Sequence, residues 1–407
     1  MARPPVALYV HVPFCVSLCP YCDFVVYAGS AARGPASRVA AFTEALLAEL
    51  SLRADAVEAA FGPERAPLRS VYLGGGTPTL LPTASIAAIL DLVRDRFGIA
   101  DEAELTIEAN PGPDERGIAG DLVAAGVTRI SLGAQSFDPA LLQRLGRRHR
   151  PADVAEAVRE ARAAGIASVS VDLLYDVPSQ SVATWAASLD AVIDLGVDHV
   201  SAYALTLDDP EAEGITGPTG DHLPTSPGAR RWRAAAGVEQ DEDRAAAMYR
   251  LAVDRLGGAG LRGYEISNWA RSGHESRHNL AYWHRDPYEA VGPGAHAFDG
   301  VTRRWNAARL DGYLAALAPG GGGSPGLPPG GWEPVDAAGA AAESVILALR
   351  LDEGVAGDEA DQGPLGPHVT WAIETGLLER TDRPDGHRLR LTTRGRLLSN
   401  ELFARLI

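Results

Sequence analysis

Long apolar runs are missing from this 407-residue sequence, and cysteine is scarce. No run of about 18 apolar residues occurs, so the sequence predicts no membrane-spanning helix. The first residues, MARPPVALYVHV, contain too short an apolar run for a signal peptide, and no small-residue cleavage site follows. We therefore expect a cytoplasmic protein.

Basic residues are outnumbered by acidic ones. Lys and Arg total 37 against 53 Asp and Glu, which gives a formal net charge of −16. A nucleic-acid backbone would be repelled by that average field, so we expect no nucleic-acid partner. The local run RLGRRHR (144–150) is open to two interpretations, a small-anion site or a solvated helix end.

All three cysteines of the chain lie in one short loop, as Cys15, Cys19 and Cys22. An odd, clustered set in a cytoplasmic chain is not a disulfide framework. One interpretation is a zinc site completed by a histidine such as His11. The other is a 4Fe–4S cluster with three irons held by cysteine and one iron left free. The second is favoured, because structural zinc motifs usually come as separated pairs and this chain has none.

Short β-branched runs alternate with alanine-rich amphipathic stretches through the first half of the chain. This alternation predicts parallel βα units. Six units are too few for a closed eight-stranded barrel, so we predict an α/β fold, an open partial (βα)6 barrel with its chemistry at the carboxyl ends of the strands. The predicted strands are 7–12, 70–75, 104–110, 129–135, 168–175 and 199–205, and the predicted helices are near 36–55, 83–97, 115–125, 138–146, 151–164 and 180–195.

The second half of the sequence divides by composition into further segments. Residues 208–240 are rich in Pro, Gly and charge and predict a long loop or lid, and a helix is predicted near 241–256. The C-terminal part predicts two helices, a strand, a turn and a last helix, as in a small winged-helix-like α+β domain. The predicted divisions are a partial barrel (1–207), an irregular insertion (208–240), a barrel-completing segment (241–317), a Gly/Pro linker (318–331) and the C-terminal domain (332–407).

A CxxxCxxC loop directly after a first barrel strand resembles the radical S-adenosylmethionine (SAM) superfamily. The ordered motifs YVHVPFC, YLGGGTPTLL, IEANP, SLGAQSF, LGRRH, VDLLYDVPSQ and YEISNWA resemble its coproporphyrinogen III dehydrogenase-like branch. The resemblance implies that the open iron chelates SAM and that reductive cleavage would release a 5′-deoxyadenosyl radical. The cofactor supplies that chemistry, and the protein supplies binding and orientation.

The resemblance also implies site residues. Cys15, Cys19 and Cys22 would hold the 4Fe–4S cluster, and glycines would let the SAM amino acid moiety approach the backbone. Asp172 is a strong candidate because an inward charge in the apolar strand VSVDLLY would be costly without a role. The residues implied to contact SAM are Tyr9, Tyr21, Gly75, Gly76, Thr77, Glu108, Gln135, Arg147 and Asp172.

Two families of this branch can be distinguished by sequence. The dehydrogenase carries a further cysteine two positions after the third and a longer N-terminal segment, whereas this sequence has Phe24 there and eight residues before Tyr9. It therefore resembles the heme chaperone HemW family, whose members are implied to bind heme and pass it to acceptor proteins. An oxygen-independent coproporphyrinogen III dehydrogenase, or another radical SAM enzyme of porphyrin metabolism, is the alternative.

The stretch HNLAYW (278–283) matches the HNxxYW pattern of that family. The resemblance implies that His278 ligates heme iron, with Tyr282 and Trp283 as flat apolar surface for the porphyrin. The alternative is a helix whose aromatics fill the core. Expected partners are heme-accepting proteins, flavodoxin or ferredoxin as electron donor, and a second copy of the chain in a homodimer.

Overall fold

The computed structural model describes residues 1–28, 37–207, 209–318, 326–383 and 386–407. In these ranges the strands are β1 (Ala7–Val12), β2 (Phe14–Cys15), β3 (Tyr27–Ala28), β4 (Leu68–Gly75), β5 (Ile99–Ala109), β6 (Arg129–Gln135), β7 (Ser168–Tyr175), β8 (His199–Ala204), β9 (Arg262–Gly263), β10 (Asn268–Ala270), β11 (Tyr288–Val291), β12 (His296–Phe298), β13 (Thr302–Asn306), β14 (Gly330–Pro334), β15 (Val355–Ala356), β16 (Leu378–Arg383) and β17 (Gly386–Leu391).

The α-helices follow the same chain order. They are α1 (Ser37–Phe61), α2 (Thr83–Phe97), α3 (Ala119–Ala125), α4 (Pro139–Arg144), α5 (Pro151–Ala164), α6 (Val182–Asp194), α7 (Pro227–Glu239), α8 (Glu242–Gly258), α9 (Arg277–Trp283), α10 (Leu310–Leu317), α11 (Ala337–Arg350), α12 (Gly357–Gln362), α13 (Val369–Glu374), α14 (Thr393–Leu397) and α15 (Ser399–Phe403). None of these helices has the length and apolar character needed to cross a membrane.

Six parallel strands, β1 and β4 to β8, form the centre of the main sheet in sequence order. Their near-continuous burial fits parallel strands that are covered on both faces. For this reason the strands occur in the sequence as apolar, β-branched runs, from which they were predicted. On one side β11 also pairs parallel, with β1, and the sheet then continues antiparallel through β12, β13 and β14. On the other side β10 and β9 are antiparallel. The sheet does not close, and its order is β14-β13-β12-β11-β1-β4-β5-β6-β7-β8-β10-β9. The predicted α/β fold with an open partial barrel is confirmed.

The predicted loop at 208–240 is wrong in its second half. Residues Pro227–Glu239 form α7, which begins with the Ser226 side chain accepting a hydrogen bond from the Ala229 amide. Pro227 at the first helical position fits the same start. The glycine and proline content of the segment therefore marks the approach to a helix rather than an uninterrupted loop.

The C-terminal part has its own hydrophobic core, built from buried residues between Ala342 and Leu406. The helix α11 comes first, a small antiparallel sheet in the order β15-β17-β16 follows, and α14 and α15 end the chain. This order agrees with the predicted helices and wing. One boundary was wrong, because Leu378–Arg383 is strand rather than the end of a helix.

The predicted linker at 318–331 is only partly covered by the structure. Residues 319–325 lie outside the described ranges, and Gly330 and Gly331 belong to β14, which pairs antiparallel with β13.

Candidate functional site

The cysteine loop starts at the end of the first barrel strand. Cys15 ends β2, which pairs in parallel with β3 through Phe14 and Tyr27, so both ends of the loop are tied together. Inside the loop the Cys22 amide donates to the Cys19 carbonyl at 3.2 Å. All three cysteines are free and half-buried. The loop therefore presents three unpaired thiols from a short, closed piece of backbone.

Two polar side chains contact the thiols. Cys15 Sγ lies 3.4 Å from Thr77 Oγ1, and Arg147 Nη1 donates to Cys19 Sγ at 3.8 Å. Burial raises the pKa of the Cys15 thiol to about 11 and also raises the pKa of Cys22. Metal binding must therefore expel protons from these thiols.

The donor set fits an iron–sulfur cluster better than a zinc ion. His11, the zinc ligand considered from the sequence, uses both ring nitrogens elsewhere, Nδ1 with the Tyr9 hydroxyl at 3.0 Å and Nε2 with the Val25 carbonyl at 2.8 Å. In a cubane each of the three thiolates would bind a different iron, which leaves the fourth iron open.

A glycine turn follows β4 directly beside the cysteine loop. Gly75 has φ +107°, and a Cβ there would lie 2.4 Å from the His11 ring. A Cβ on Gly76 would lie 2.5 Å from the Phe14 carbonyl oxygen. Only glycine fits these two positions, because the turn packs tightly against His11 and Phe14, and both glycines line the cavity.

Glu108 is bound to this turn. Its Oε2 accepts from the Gly75 amide at 2.9 Å, and its Oε1 accepts from the Tyr72 hydroxyl at 2.8 Å. Burial raises the pKa of Glu108 to about 7, and the negative charge of Asp172 adds to this rise. The two hydrogen bonds lower the pKa but do not cancel the effect of burial. Near neutral pH this carboxyl can either donate or accept a hydrogen bond in the cavity.

The raised pKa of Glu108 predicts a pH-dependent stability. The folded state binds this proton more tightly than the unfolded state, so the free energy of unfolding should fall as pH rises from 4.5 to about 7. The full effect is about 3 kcal/mol. Urea unfolding of the cluster-free protein at pH 5 and pH 8 measures this loss. The free energy of unfolding should fall more between the two pH values for the parent chain than for Glu108→Gln, whose side chain cannot titrate. Parallel profiles for the two proteins would contradict the assignment.

Asn110 joins the glycine turn to Arg147 and was not identified from the sequence. Its Nδ2 donates to Thr77 Oγ1 at 2.9 Å, and its Oδ1 accepts from Arg147 Nη2 at 2.5 Å. Arg147 Nη2 also donates to the Gly133 carbonyl at 2.5 Å. A continuous polar chain therefore runs from Arg147 through Asn110 and Thr77 to Cys15. Asn110 lies in the motif IEANP, directly after a buried strand, and this position was the sequence signal that could have identified it.

Asp172 and Gln135 lie on neighbouring strands at the bottom of the cavity. Both carboxylate oxygens of Asp172 accept from Ser131 Oγ, at 3.1 and 3.0 Å. Burial raises the pKa of Asp172, and hydrogen bonds from Ser201 and Ser131 oppose the rise. Gln135 has φ +66° at an irregularity in the β6–β7 pairing, which turns its side chain toward the cavity.

His278 lies on α9 and is 1% exposed. Its Nδ1 lies 3.0 Å from Ser70 Oγ and its Nε2 lies 2.8 Å from the Tyr282 hydroxyl. Burial lowers its pKa to about 3, so the ring is neutral. Trp283 is not among the cavity residues and packs under the Arg350 guanidinium, 4.4 Å from the ring centre.

One cavity of about 870 Å³ brings the sequence-predicted site residues together, with the exception of Trp283. Its volume lies within the range of about 300–1,000 Å³ typical of small-molecule sites. The predicted residues that line it are Tyr9, Cys15, Cys19, Tyr21, Cys22, Gly75, Gly76, Thr77, Glu108, Gln135, Arg147, Asp172 and His278.

Arg233 is a second residue that sequence reasoning missed. It lies on α7, is 8% exposed, and reaches the cysteine loop. Its Nε donates to the Pro20 carbonyl at 3.2 Å, and its Nη2 donates to the Tyr21 and Cys22 carbonyls at 3.3 and 2.8 Å. Helix α7 therefore holds the backbone of the cysteine loop in place through Arg233.

Replacing Arg233 by methionine should loosen the loop without unfolding the barrel. Hydrogen bonds from a charged group contribute about 1.5–3 kcal/mol each, so iron release to a chelator should be at least about tenfold faster. Arg231→Met, on the exposed face of the same helix, is the matched control. Equal release rates for the two variants would show that Arg233 does not position the loop.

An open parallel barrel with three free cysteines after its first strand and a glycine turn after its second defines a radical SAM fold. The family model "Radical SAM superfamily" matches residues 9–202. The described structure is similar to Escherichia coli coproporphyrinogen III oxidase, HemN, with TM-score 0.77 and 21% identity over 99% of this chain and 90% of that chain. At this identity the likeness shows the fold alone.

Curated relatives show to which family of radical SAM proteins the chain belongs. The heme chaperone HemW of Mycobacterium tuberculosis H37Rv is 38% identical over 407 residues, covering 100% of this chain and 96% of the relative. The heme chaperone HemW of Escherichia coli K12 is 36% identical over 293 residues, covering 72% and 70%. The chain belongs to the HemW family of radical SAM proteins.

Proposed function

We propose that this protein binds heme and delivers it to acceptor proteins, with a 4Fe–4S cluster and SAM as resident cofactors. The observation that supports the cofactors is the single cavity into which the cysteine loop, the glycine turn and the Glu108 and Arg147 side chains all open. The HemW relatives, which match the whole chain, support the heme function.

Each cofactor has residues suited to hold it. Cys15, Cys19 and Cys22 would hold the cluster, whose open iron would bind SAM when both are present. Gly75 and Gly76 line the cavity and would offer their backbone to the SAM amino acid moiety. Tyr21 lines the cavity, and its ring, which packs on the apolar cluster of Leu141, Leu145 and Leu174, would lie against the adenine. Tyr9, Thr77, Glu108, Gln135, Arg147 and Asp172 would supply the polar contacts to SAM.

The alternative function is oxygen-independent coproporphyrinogen III dehydrogenation. The fold shared with HemN allows it. Phe24 argues against this function, because it occupies the position where the dehydrogenase family carries a further cysteine. The chain contains only three cysteines. We therefore favour the chaperone.

Anaerobic reconstitution followed by heme titration, with and without SAM, tests the proposed function. Saturable binding of one heme per chain is expected, with transfer to an apo heme protein faster than from albumin-bound heme. In a parallel reaction the reduced protein is incubated with SAM and coproporphyrinogen III. Accumulation of protoporphyrinogen, or a lack of heme binding, would contradict the chaperone function.

We place the protein in the cytoplasm, where thiols stay reduced and a cluster can be assembled. Flavodoxin or ferredoxin would be the electron donor if SAM is cleaved. A homodimer would cover an edge of the open sheet.

A further inference from the structure

Tyr72, a cavity residue of β4, contacts both Glu108 and His278. Its hydroxyl donates to Glu108 Oε1 at 2.8 Å. Its ring lies against the His278 ring, with ring centroids 5.1 Å apart and an interplanar angle of 31°. Burial and the neighbouring charge of Glu108 raise the pKa of Tyr72, so the hydroxyl keeps its proton and remains a donor. One side chain therefore joins a carboxyl proposed to contact SAM to the histidine of the HNxxYW motif.

The sequence of β4 makes room for this double contact. Alternate residues of a strand share a face, so Ser70, Tyr72 and Gly74 lie on the same face of the sheet. Ser70 Oγ lies 3.0 Å from His278 Nδ1. A Cβ on Gly74 would lie 2.7 Å from Tyr72 Cε1 and 3.1 Å from the Glu108 carboxyl carbon. A side chain at position 74 would therefore push the Tyr72 ring away from Glu108, and glycine leaves the hydrogen bond intact.

The imidazole of His278 is held from three directions. Ser70 contacts Nδ1, the Tyr72 ring covers one face, and the Tyr282 hydroxyl lies 2.8 Å from Nε2. Heme iron bound to Nε2 would replace the Tyr282 hydroxyl there. Ser70 and Tyr72 would keep their contacts with the ring, and such partners on the far side of a ligating histidine commonly orient it toward the metal.

We propose that Tyr72 is a positioning residue that couples SAM binding to heme binding, because Glu108 holds its hydroxyl and its ring holds His278. This inference rests on the proposed function, with Glu108 as a SAM contact and His278 as the heme ligand. SAM bound beside Glu108 would order that carboxyl and, through the hydrogen bond, the Tyr72 ring. Heme then binds to an imidazole that is already held, so less conformational entropy is lost. Each ligand therefore strengthens the binding of the other by the same factor.

The test measures both affinities with the full-length, cluster-loaded protein under anaerobic conditions. No reductant is added, so that SAM stays intact. Heme affinity is measured by difference absorbance with and without saturating SAM, and SAM affinity by calorimetry with and without ferric heme. We expect each ligand to strengthen the binding of the other about tenfold. Tyr72→Phe keeps the ring and loses only the hydroxyl, so it should bind each ligand alone as the parent does and show a coupling factor of about one.

Tyr249→Phe is the matched control for the loss of a hydroxyl. Tyr249 is a buried residue of α8, donates to the Ile266 carbonyl at 2.9 Å and does not line the cavity. This variant should keep the coupling of the parent. If the parent binds SAM and heme independently or in competition, or if Tyr72→Phe keeps the coupling, the inference fails and the proposed function stands. If the parent binds no heme, the proposed function fails.

Discussion

Cys19→Ser is expected to abolish cluster assembly while the barrel stays folded. Serine oxygen is a poor substitute for a thiolate on iron, and two remaining cysteines cannot hold three corners of a cubane. Cys19 is half-buried in a loop, and the main hydrophobic core is built from the strands and helices around it. Iron and sulfide analysis after anaerobic reconstitution should fall from about four irons per chain to near zero.

Ser17→Ala is the matched control for this experiment, because Ser17 is an exposed residue of the same loop. It should load iron as the parent does. Circular dichroism should give the same helix content for all three proteins. A Cys19→Ser variant with full iron and sulfide would remove Cys19 from the ligand set.

Glu49→Ala is expected to cause the largest loss of stability. Glu49 is fully buried on α1 and its two carboxylate oxygens accept four hydrogen bonds. The donors are Arg53 Nε at 3.2 Å, the Gly292 amide at 2.9 Å, Asn306 Nδ2 at 2.8 Å and the Tyr313 hydroxyl at 2.8 Å. Removing the carboxylate leaves Arg53 as a buried, poorly compensated charge.

The free energy of unfolding should therefore fall by about 3–5 kcal/mol. Urea unfolding of the variant and of Glu44→Ala, an exposed glutamate on the same helix, gives the comparison. Glu44→Ala should stay within about 0.5 kcal/mol of the parent. Equal losses for the two variants would show that the Glu49 network does not stabilise the fold.

Strands with a strong local sequence pattern were predicted correctly from the sequence. The strands Ala7–Val12, Arg129–Gln135 and Ser168–Tyr175 begin and end where predicted. Each is an apolar, β-branched run with a clear terminator. The first five residues of Ile99–Ala109 were missed, because IADEA has low strand propensity and its strand structure depends on pairing with the neighbouring strand at Leu68.

The residues of the site also differ in whether a local sequence pattern identifies them. Cysteines four and three positions apart, and glycines next to a strand end, are local patterns, so their residues were identified. Contacts between distant segments have no local pattern. Arg233 is more than 200 positions from the carbonyls it binds, as is Glu49 from the Gly292 amide. Only the fold brings these side chains together.

We propose that the thiolates of Cys15, Cys19 and Cys22 hold a 4Fe–4S cluster whose fourth iron is open to SAM. EPR of the anaerobically reconstituted and reduced protein, recorded with and without SAM, tests it most directly. We expect a reduced-cluster signal whose g values shift when SAM is added. A protein without iron and sulfide, or a cluster signal that SAM leaves unchanged, would contradict it.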